Sequence, residues 1–180
     1  GGNTAKLGLP SFIQIYCIPL PFTYKSVCFA ATTEFVPEQT TGYDSLLWNF
    51  GDPASVPNDT SSLTSPTHIF TAPGTYTVSL TTWSGGNSAV ITQEVKINPL
   101  PQPNLGADTT LCGGNALVLA LGETYTEYLW SDGSTGKTLI VTTTGTYTVT
   151  VTDGNGCQGS DGIQVEFHAV PGPVPIRHDE

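Results

Sequence analysis

The stretch Leu46-Leu47-Trp48-Asn49-Phe50-Gly51-Asp52-Pro53 decides the fold of the first half of this chain. Alternate residues of an extended strand share one face, so the pattern predicts that Trp48 and Phe50 are buried together in a core. The last three residues of the stretch end the strand, because glycine, aspartate and proline favour turns. We predict that the Asp52 carboxylate accepts backbone N–H groups and fixes this turn.

Alternation of apolar and hydroxyl-bearing residues returns between Thr75 and Thr82. Tyr76, Val78 and Leu80 fall on one side of this strand, which predicts one buried and one solvated face. No window of about 11 residues has apolar residues at the helical period. Charged residues make up 11% of the chain, against a typical value of about 25%, and Thr, Gly, Ser and Pro replace them. The sequence therefore predicts an all-β chain of antiparallel β-sandwiches.

An internal repeat indicates a second, related sandwich. Gly145-Thr146-Tyr147-Thr148-Val149 repeats residues 74–78 letter for letter. The segment around Trp130, Tyr128-Leu129-Trp130-Ser131-Asp132-Gly133, is similar to the segment around Trp48. Trp130 and Tyr147 are therefore predicted to have the same structural roles in the second sandwich as Trp48 and Tyr76 have in the first.

Proline content sets the predicted boundaries. Three prolines in residues 99–103 favour a short, stiff and extended linker. The first sandwich is expected to begin with one full strand over residues 23–36. The predicted parts, in order, are an N-terminal segment with a short apolar strand (1–22), a first sandwich (23–99), a linker (100–103), a second sandwich (104–168) and a proline-rich tail (169–180). Because the chain has no Met and no apolar run near 18 residues, we interpret it as an interior piece of a longer protein.

The motifs of the first sandwich resemble those of the PKD domain, a β-sandwich of surface and secreted proteins. They are WNFGDP at 48–53, SPTHIF at 65–70 and APGTYTVSL at 72–80. The second module resembles the Ig-like repeats of Bacteroidetes surface proteins, in residues 105–112, 130–134 and 151–157. Residues 6–14 resemble the last segment of a propeller-like domain that precedes PKD modules in such proteins. The resemblance implies export by the type IX route and association with gliding or adhesive proteins.

The four cysteines, Cys17, Cys28, Cys112 and Cys157, suggest an oxidising compartment. Their spacing alone leaves three pairings open. The family resemblance implies a Cys112–Cys157 disulfide inside the second module, and we expect Cys17–Cys28 to join the N-terminal strand to the first sandwich. The alternative is a zinc site, but the chain has no CxxC spacing and no histidine near a cysteine in the expected pattern.

The chain is acidic, with 5 Lys and Arg against 15 Asp and Glu and a formal net charge of -10. A nucleic-acid backbone or an anionic lipid surface would be repelled, so neither nucleic-acid binding nor membrane insertion is expected. The sequence has no G-x-S-x-G motif, and its acidic residues are scattered over predicted turns. His68 is interpreted as structural. We therefore predict that the chain is not an enzyme.

No cofactor is expected, although calcium is an alternative at two places. Asp52 is a candidate ligand, because some PKD modules bind calcium near their termini. Asp153-Gly154-Asn155-Gly156 begins like a calcium loop, but Gln164 stands at the twelfth position, where a bidentate Glu is needed. This segment is better explained as a tight hairpin turn.

These observations predict a non-catalytic structural or adhesive segment of a large secreted or cell-surface bacterial protein. It would act as a stiff spacer or filament building block, with neighbouring modules or copies of itself as partners. One alternative is a carbohydrate-binding accessory module of an exported hydrolase, with Trp83 as its glycan contact, because Trp48 and Trp130 are predicted to be buried. A second alternative is assembly into a fibre, in which residues 11–17 add a strand to the sheet edge of a neighbour.

Overall fold

The computed structural model describes residues 19–113 and 115–169, and the chain divides into two compact units. Of the described residues, the first unit contains residues 19–26 and Ala30–Ile97. The second contains Val27–Phe29 and residues 98–113 and 115–169. The boundaries of the domains that the sequence analysis gave remain predictions. Within the described parts of the chain, no helix is long and apolar enough to cross a membrane.

Two antiparallel sheets form the first unit. Its strands are β1 (Phe22–Lys25), β2 (Thr33–Pro37), β3 (Ser45–Asn49), β4 (Thr60–Ser61), β5 (Thr67–His68), β6 (Gly74–Ser84) and β7 (Asn87–Ile97). The smaller sheet has the order β1-β2-β5 and the larger sheet the order β4-β3-β6-β7. A two-residue turn at Gly85 and Gly86, both with positive φ, joins β6 to β7.

Trp48 lies at the centre of the first core, where the two sheets meet. Its ring centroid is 5.0 Å from that of Phe22 and 5.7 Å from that of Phe35, both on the smaller sheet. The indole N–H of Trp48 donates to the carbonyl of Leu63 at 3.0 Å, so the polar atom of this buried ring has a partner. Phe50 is also buried.

The predicted single strand over residues 23–36 is wrong, because this stretch is a pair of antiparallel strands. β1 and β2 pair from Phe22 opposite Pro37 to Lys25 opposite Glu34. Ser26 and Ala30 have φ values of 63° and 62°, in the left-handed region that residues other than glycine seldom adopt. The turn was missed because neither glycine nor proline marks it in the sequence.

The residues between these two positions, Val27–Phe29, belong to the second unit. The N–H of Phe29 donates to the carbonyl of Asn98 at 2.8 Å, and the N–H of Asn98 donates to the carbonyl of Val27 at 2.7 Å. The chain therefore contributes three residues to the second unit before it builds most of the first.

The second unit is also a β-sandwich. Its strands are β8 (Thr109–Cys112), β9 (Leu117–Ala120), β10 (Glu127–Trp130), β11 (Thr138–Val141), β12 (Gly145–Thr152) and β13 (Gln158–His168). They form a sheet of order β10-β12-β13-β8 and a two-stranded sheet β11-β9. Trp130 is buried in the core, and its indole N–H donates to the carbonyl of Gly136 at 2.7 Å. The predicted fold class, all-β with two tandem sandwiches, is confirmed, although β8 and β13 pair in parallel.

Both predicted disulfides are wrong, because Cys28 is bonded to Cys157. Cys112 is an exposed free thiol, and Cys17 lies outside the described residues. Parallel pairing puts Cys112 beside His168, at the far end of β13 from Cys157. An extended strand of 11 residues is about 35 Å long, so a Cys112–Cys157 bond is excluded by distance. The parallel register, which the sequence did not reveal, is the cause of this error.

Cysteine chemistry tests this assignment. Under non-reducing conditions, an alkylating reagent should modify Cys112, because its side chain is exposed, and should leave Cys28 and Cys157 unmodified. Peptide mapping by mass spectrometry should find a linked pair of peptides containing Cys28 and Cys157. A linked pair containing Cys112 and Cys157 would contradict the fold of the second unit.

Candidate functional site

Hydrogen bonds join three polar side chains of the first unit, Asp52, His68 and Thr71, which we call the Asp52 cluster; Asp52 and His68 are buried. Asp52 follows the end of β3, and its carboxylate accepts hydrogen bonds from the N–H of Thr71 at 2.9 Å and from the hydroxyl of Thr71 at 2.6 Å. The same carboxylate lies 3.2 Å from Nε2 of His68. The cluster therefore ties the loop after β5 to the end of β3.

Aromatic rings enclose the imidazole of His68. The ring is stacked on Phe50, with centroids 4.3 Å apart, and meets Phe70 edge-on at 4.6 Å. Only 3% of the His68 side chain is exposed. Because an ionised carboxylate can only accept hydrogen bonds, Nε2 carries the proton in this contact.

The environment of Asp52 favours its ionised form. Burial raises the pKa of Asp52, but the hydrogen bonds from Thr71 and the contact with His68 together hold it below its ordinary value of 3.8. The carboxylate is therefore charged at neutral pH, and its hydrogen bonds are charge-assisted, which makes them stronger than neutral ones.

The predicted role of Asp52 is wrong in its detail. Its carboxylate does not fix the turn after Phe50 but reaches Thr71, which is 19 residues away. The turn is held instead by the side chain of Asn49, which accepts from the N–H of Gly51 at 2.8 Å, and by Asp59, which accepts from the N–H of Asp52 at 2.6 Å. An Asn two residues before a Gly is a signal for such a turn.

The cluster is arranged for structure rather than for catalysis. A His–Asp pair can orient a general base, but a base must reach substrate, and this imidazole is stacked on Phe50, with only 3% of its side chain exposed. A shallow groove of about 550 Å³ lies beside His68. Its other lining residues are Thr32, Phe50, Ser55, Asn58, Thr60, Ser61, Thr67, Ile69 and Thr71. None of these is a carboxylate or a second histidine.

Tyr76 and Tyr147 make the same contact in the two units. The hydroxyl of Tyr76 donates to the carbonyl of Ala72 at 2.8 Å, and the hydroxyl of Tyr147 donates to the carbonyl of Thr143 at 2.8 Å. Each tyrosine thus fixes the chain four residues upstream, where the strand begins, as in the tyrosine corner of other β-sandwiches. The repeated Gly-Thr-Tyr-Thr-Val motif corresponds to this repeated contact.

The acidic loop of the second unit is a hairpin turn between β12 and β13. The Asp153 carboxylate accepts from the N–H of Cys157 at 2.9 Å and from the N–H of Asn155 at 2.8 Å. The hydrogen bond from the N–H of Cys157 makes the largest contribution to lowering the pKa of Asp153 below its ordinary value. Over residues 19–113 and 115–169, no group of three or more His, Cys, Asp or Glu could hold a metal ion.

Trp83 differs in position from Trp48 and Trp130. Along β6, buried residues alternate with a second set that faces away from the core, and Trp83 belongs to this second set. Its side chain is half-buried, at the end of the strand that precedes the Gly85–Gly86 turn. It is the tryptophan that remains accessible for recognition.

Removing the charge of Asp52 should destabilise the first unit. We expect Asp52→Asn to lower the free energy of unfolding by about 1–3 kcal/mol. The amide oxygen is a weaker acceptor than the carboxylate, and the amide NH₂ would face groups that are themselves donors, on Thr71 or His68. The ionised carboxylate stabilises the fold above its unfolded pKa, and this stability is lost as the pH falls below about 4 through the lower folded value. Chemical denaturation between pH 7 and pH 2 measures both effects.

The wild type should therefore lose more stability than Asp52→Asn on acidification. Glu94→Gln is the matched control, because Glu94 is an exposed carboxylate on β7 of the same unit. Equal loss of stability in wild type and Asp52→Asn would contradict the role given to the cluster.

Replacing Gly51 should also destabilise the first unit. Gly51 has a φ of 68°, and a Cβ added there would lie 2.6 Å from the carbonyl oxygen of Thr77. Gly42 has a φ of 94° with nothing near its added Cβ, so Gly42→Ala shares the backbone strain without the clash. We expect Gly51→Ala to cost about 2 kcal/mol more than Gly42→Ala in thermal or chemical unfolding. If the two substitutions lowered the free energy of unfolding equally, the backbone at Gly51 and Thr77 would have moved apart to accept the added Cβ, which would contradict this prediction.

Comparison with known proteins identifies the first unit. The family model described as the PKD domain matches residues 24–99. No curated protein matches the chain.

Solved structures similar to this chain include two PKD domains from Vibrio species and the titin domains z1z2. The PKD1 domain of Vibrio anguillarum Epp is 23% identical with a TM-score of 0.37, and the match covers 44% of this chain and 92% of that one. The PKD1 domain of the Vibrio cholerae metalloprotease PrtV is 25% identical with a TM-score of 0.37, covering 46% and 99%. Titin domains z1z2, solved with telethonin, are 15% identical with a TM-score of 0.31, covering 87% and 100%.

The family match coincides with the strands of the first unit. The match begins in β1 and ends just after β7. The disulfide and the PKD match together indicate an extracellular protein. Residues 24–99 of this chain form a PKD domain, a module that does not itself catalyse a reaction.

Proposed function

We propose that this chain is a mechanical spacer in a large secreted or cell-surface bacterial protein, and that its disulfide carries the tension. The observation on which this rests is the Cys28–Cys157 bond, which joins positions 129 residues apart. The partners of the spacer are neighbouring modules of the same parent chain or further copies of itself.

The bond supports this function through covalent connectivity alone. Tension applied through the chain before Cys28 and after Cys157 passes from one sulfur to the other. Residues 29–156 then form a closed loop outside the tensioned path. This loop contains every strand from β2 to β12, so the greater part of both sandwich cores is shielded from the pull.

The described segments that remain under tension have little length to release. Among residues 19–28 and 157–169, β1 and β13 are the strands on the tensioned path, and both are already extended. A strand rises about 3.3 Å per residue, and a fully stretched chain about 3.5 Å per residue. The linkage therefore acts as a nearly inextensible connection while the disulfide is intact.

The bond also stabilises the fold. On the chain-entropy model, closing a loop of this size removes freedom from the unfolded chain that corresponds to about 5 kcal/mol. This contribution is comparable to the whole stability of an ordinary domain, which is about 5–15 kcal/mol.

We further propose an export route and a cellular role for the parent protein. The motifs shared with Bacteroidetes surface proteins support a parent protein that is exported by the type IX route and takes part in adhesion or gliding. An acidic surface with few lysines suits a soluble extracellular module.

Single-molecule stretching tests the proposal. The full chain is held by handles at both termini and pulled with and without a reducing agent. Reduction should lengthen the fully stretched molecule by about 45 nm, because 129 positions are released. Cys28→Ser should show the long form without reductant, and Cys112→Ser should behave like the wild type. An oxidised wild type that extends to the long form would refute the proposal.

A further inference from the structure

The outer face of the larger sheet in the first unit carries a surface that we call the Trp83 platform. Its residues follow from the strand registers of β3, β6 and β7. Reading across the three strands, the rows are Ser45–Trp83–Ser88, Leu47–Thr81–Val90 and Asn49–Ser79–Thr92. Strands lie about 4.8 Å apart and successive rows about 6.7 Å apart, so the face measures about 10 Å by 13 Å.

Trp83 is not buried in a sandwich core, unlike the other two tryptophans. Trp48 and Trp130 are buried, and each donates its indole N–H to a backbone carbonyl. Trp83 is half-buried and lies on the face of β6 that points away from the core. A large ring on an outer sheet face is suited to contact with a ligand, because it offers apolar area and a polar indole N–H together.

Apolar neighbours of Trp83 are exposed as well. Leu47 is 39% exposed and Val90 is 53% exposed, and they stand on the two strands that flank β6. Leu47 and Val90 flank Thr81 in the middle row, and Trp83 is the next residue of this face along β6. Three accessible apolar side chains therefore surround the central Thr81 on three sides, on a sheet face that is in water.

The chemistry of the platform selects for a neutral ligand rich in hydroxyl groups. None of its nine side chains is charged, and the six that are not apolar carry a hydroxyl or an amide. Charged polymers gain nothing from such a face, and polyanions are repelled by the net charge of -10. A protein partner would favour an interface in which arginine and several aromatic residues contribute, and these are lacking on the platform.

We propose that the Trp83 platform binds a neutral polysaccharide. The C–H face of a pyranose ring packs on the electron-rich face of the indole, and neighbouring sugar hydroxyls exchange hydrogen bonds with the Ser, Thr and Asn side chains and with the indole N–H. The area of the platform corresponds to a short segment of the sugar chain. This inference is independent of the role of the disulfide.

Affinity electrophoresis in native gels tests the inference with the full chain. The probes are hydroxyethyl cellulose, galactomannan and xylan as neutral polysaccharides, and alginate as an anionic one. We expect at least one neutral polysaccharide to retard the wild type and alginate not to retard it. Trp83→Ala should weaken binding at least tenfold, and Trp83→Phe should retain part of it.

Two further variants separate binding from folding. Val90→Glu places a charge on the platform at an exposed position, and it should abolish binding without loss of thermal stability. Leu129→Ala is the matched control, because Leu129 is an exposed apolar residue on an outer sheet face of the second unit, and it should bind like the wild type.

Three results would overturn the inference. The first is that none of the neutral polysaccharides retards the wild type. The second is that Val90→Glu and Trp83→Ala bind as well as the wild type, which would place the sugar elsewhere. The third is a dimer, seen in analytical ultracentrifugation, that Trp83→Ala dissociates while polysaccharide binding is absent, which would make a second copy of the chain the occupant.

Discussion

The covalent bond between Cys28 and Cys157 is the constraint on which the organisation of this chain depends. It fixes Val27–Phe29 in the second unit, although the chain on either side of these residues belongs to the first. The same segment is held by two backbone hydrogen bonds to Asn98, where the chain enters the second unit. One short segment therefore links residues near the start of the first sandwich to the hairpin turn before β13.

Within each unit, stability rests on a buried tryptophan and a strand-end tyrosine. Trp48 and Trp130 bury large apolar surfaces and still satisfy their indole N–H groups with backbone carbonyls. Tyr76 and Tyr147 fix the start of a long strand through the same four-residue contact. In the first unit, the Asp52 carboxylate holds the loop at Thr71. In the second unit, the carboxylate that follows Trp130 is Asp132, and it accepts only locally, from the N–H of Ser134. The two sandwiches thus share a core design and differ in how their loops are held.

Local pattern predicted much of this architecture, and long-range geometry accounts for the errors. Alternation predicted strands near Trp48, Tyr76 and Tyr147, because side chains on a pleated strand point to opposite faces in turn. The turn at Ser26 and Ala30 was missed because both residues adopt a left-handed backbone without glycine. Cys112 was wrongly paired with Cys157 because the parallel register of β8 and β13 is not encoded in any short motif. The acceptor role of Asp52 was misplaced because its partner is 19 residues away in sequence.

The two proposals are compatible, because tension carried by one covalent bond would leave the sheet faces available for recognition. The most direct measurement of the central claim is the rate at which a phosphine reductant cleaves the bond in a single molecule held at constant force. If the Cys28–Cys157 bond carries the tension, this rate should rise steeply as the force is raised, because stretching a disulfide lowers the barrier to its cleavage. A rate that does not change with force would show that the tension takes another path and would contradict the account.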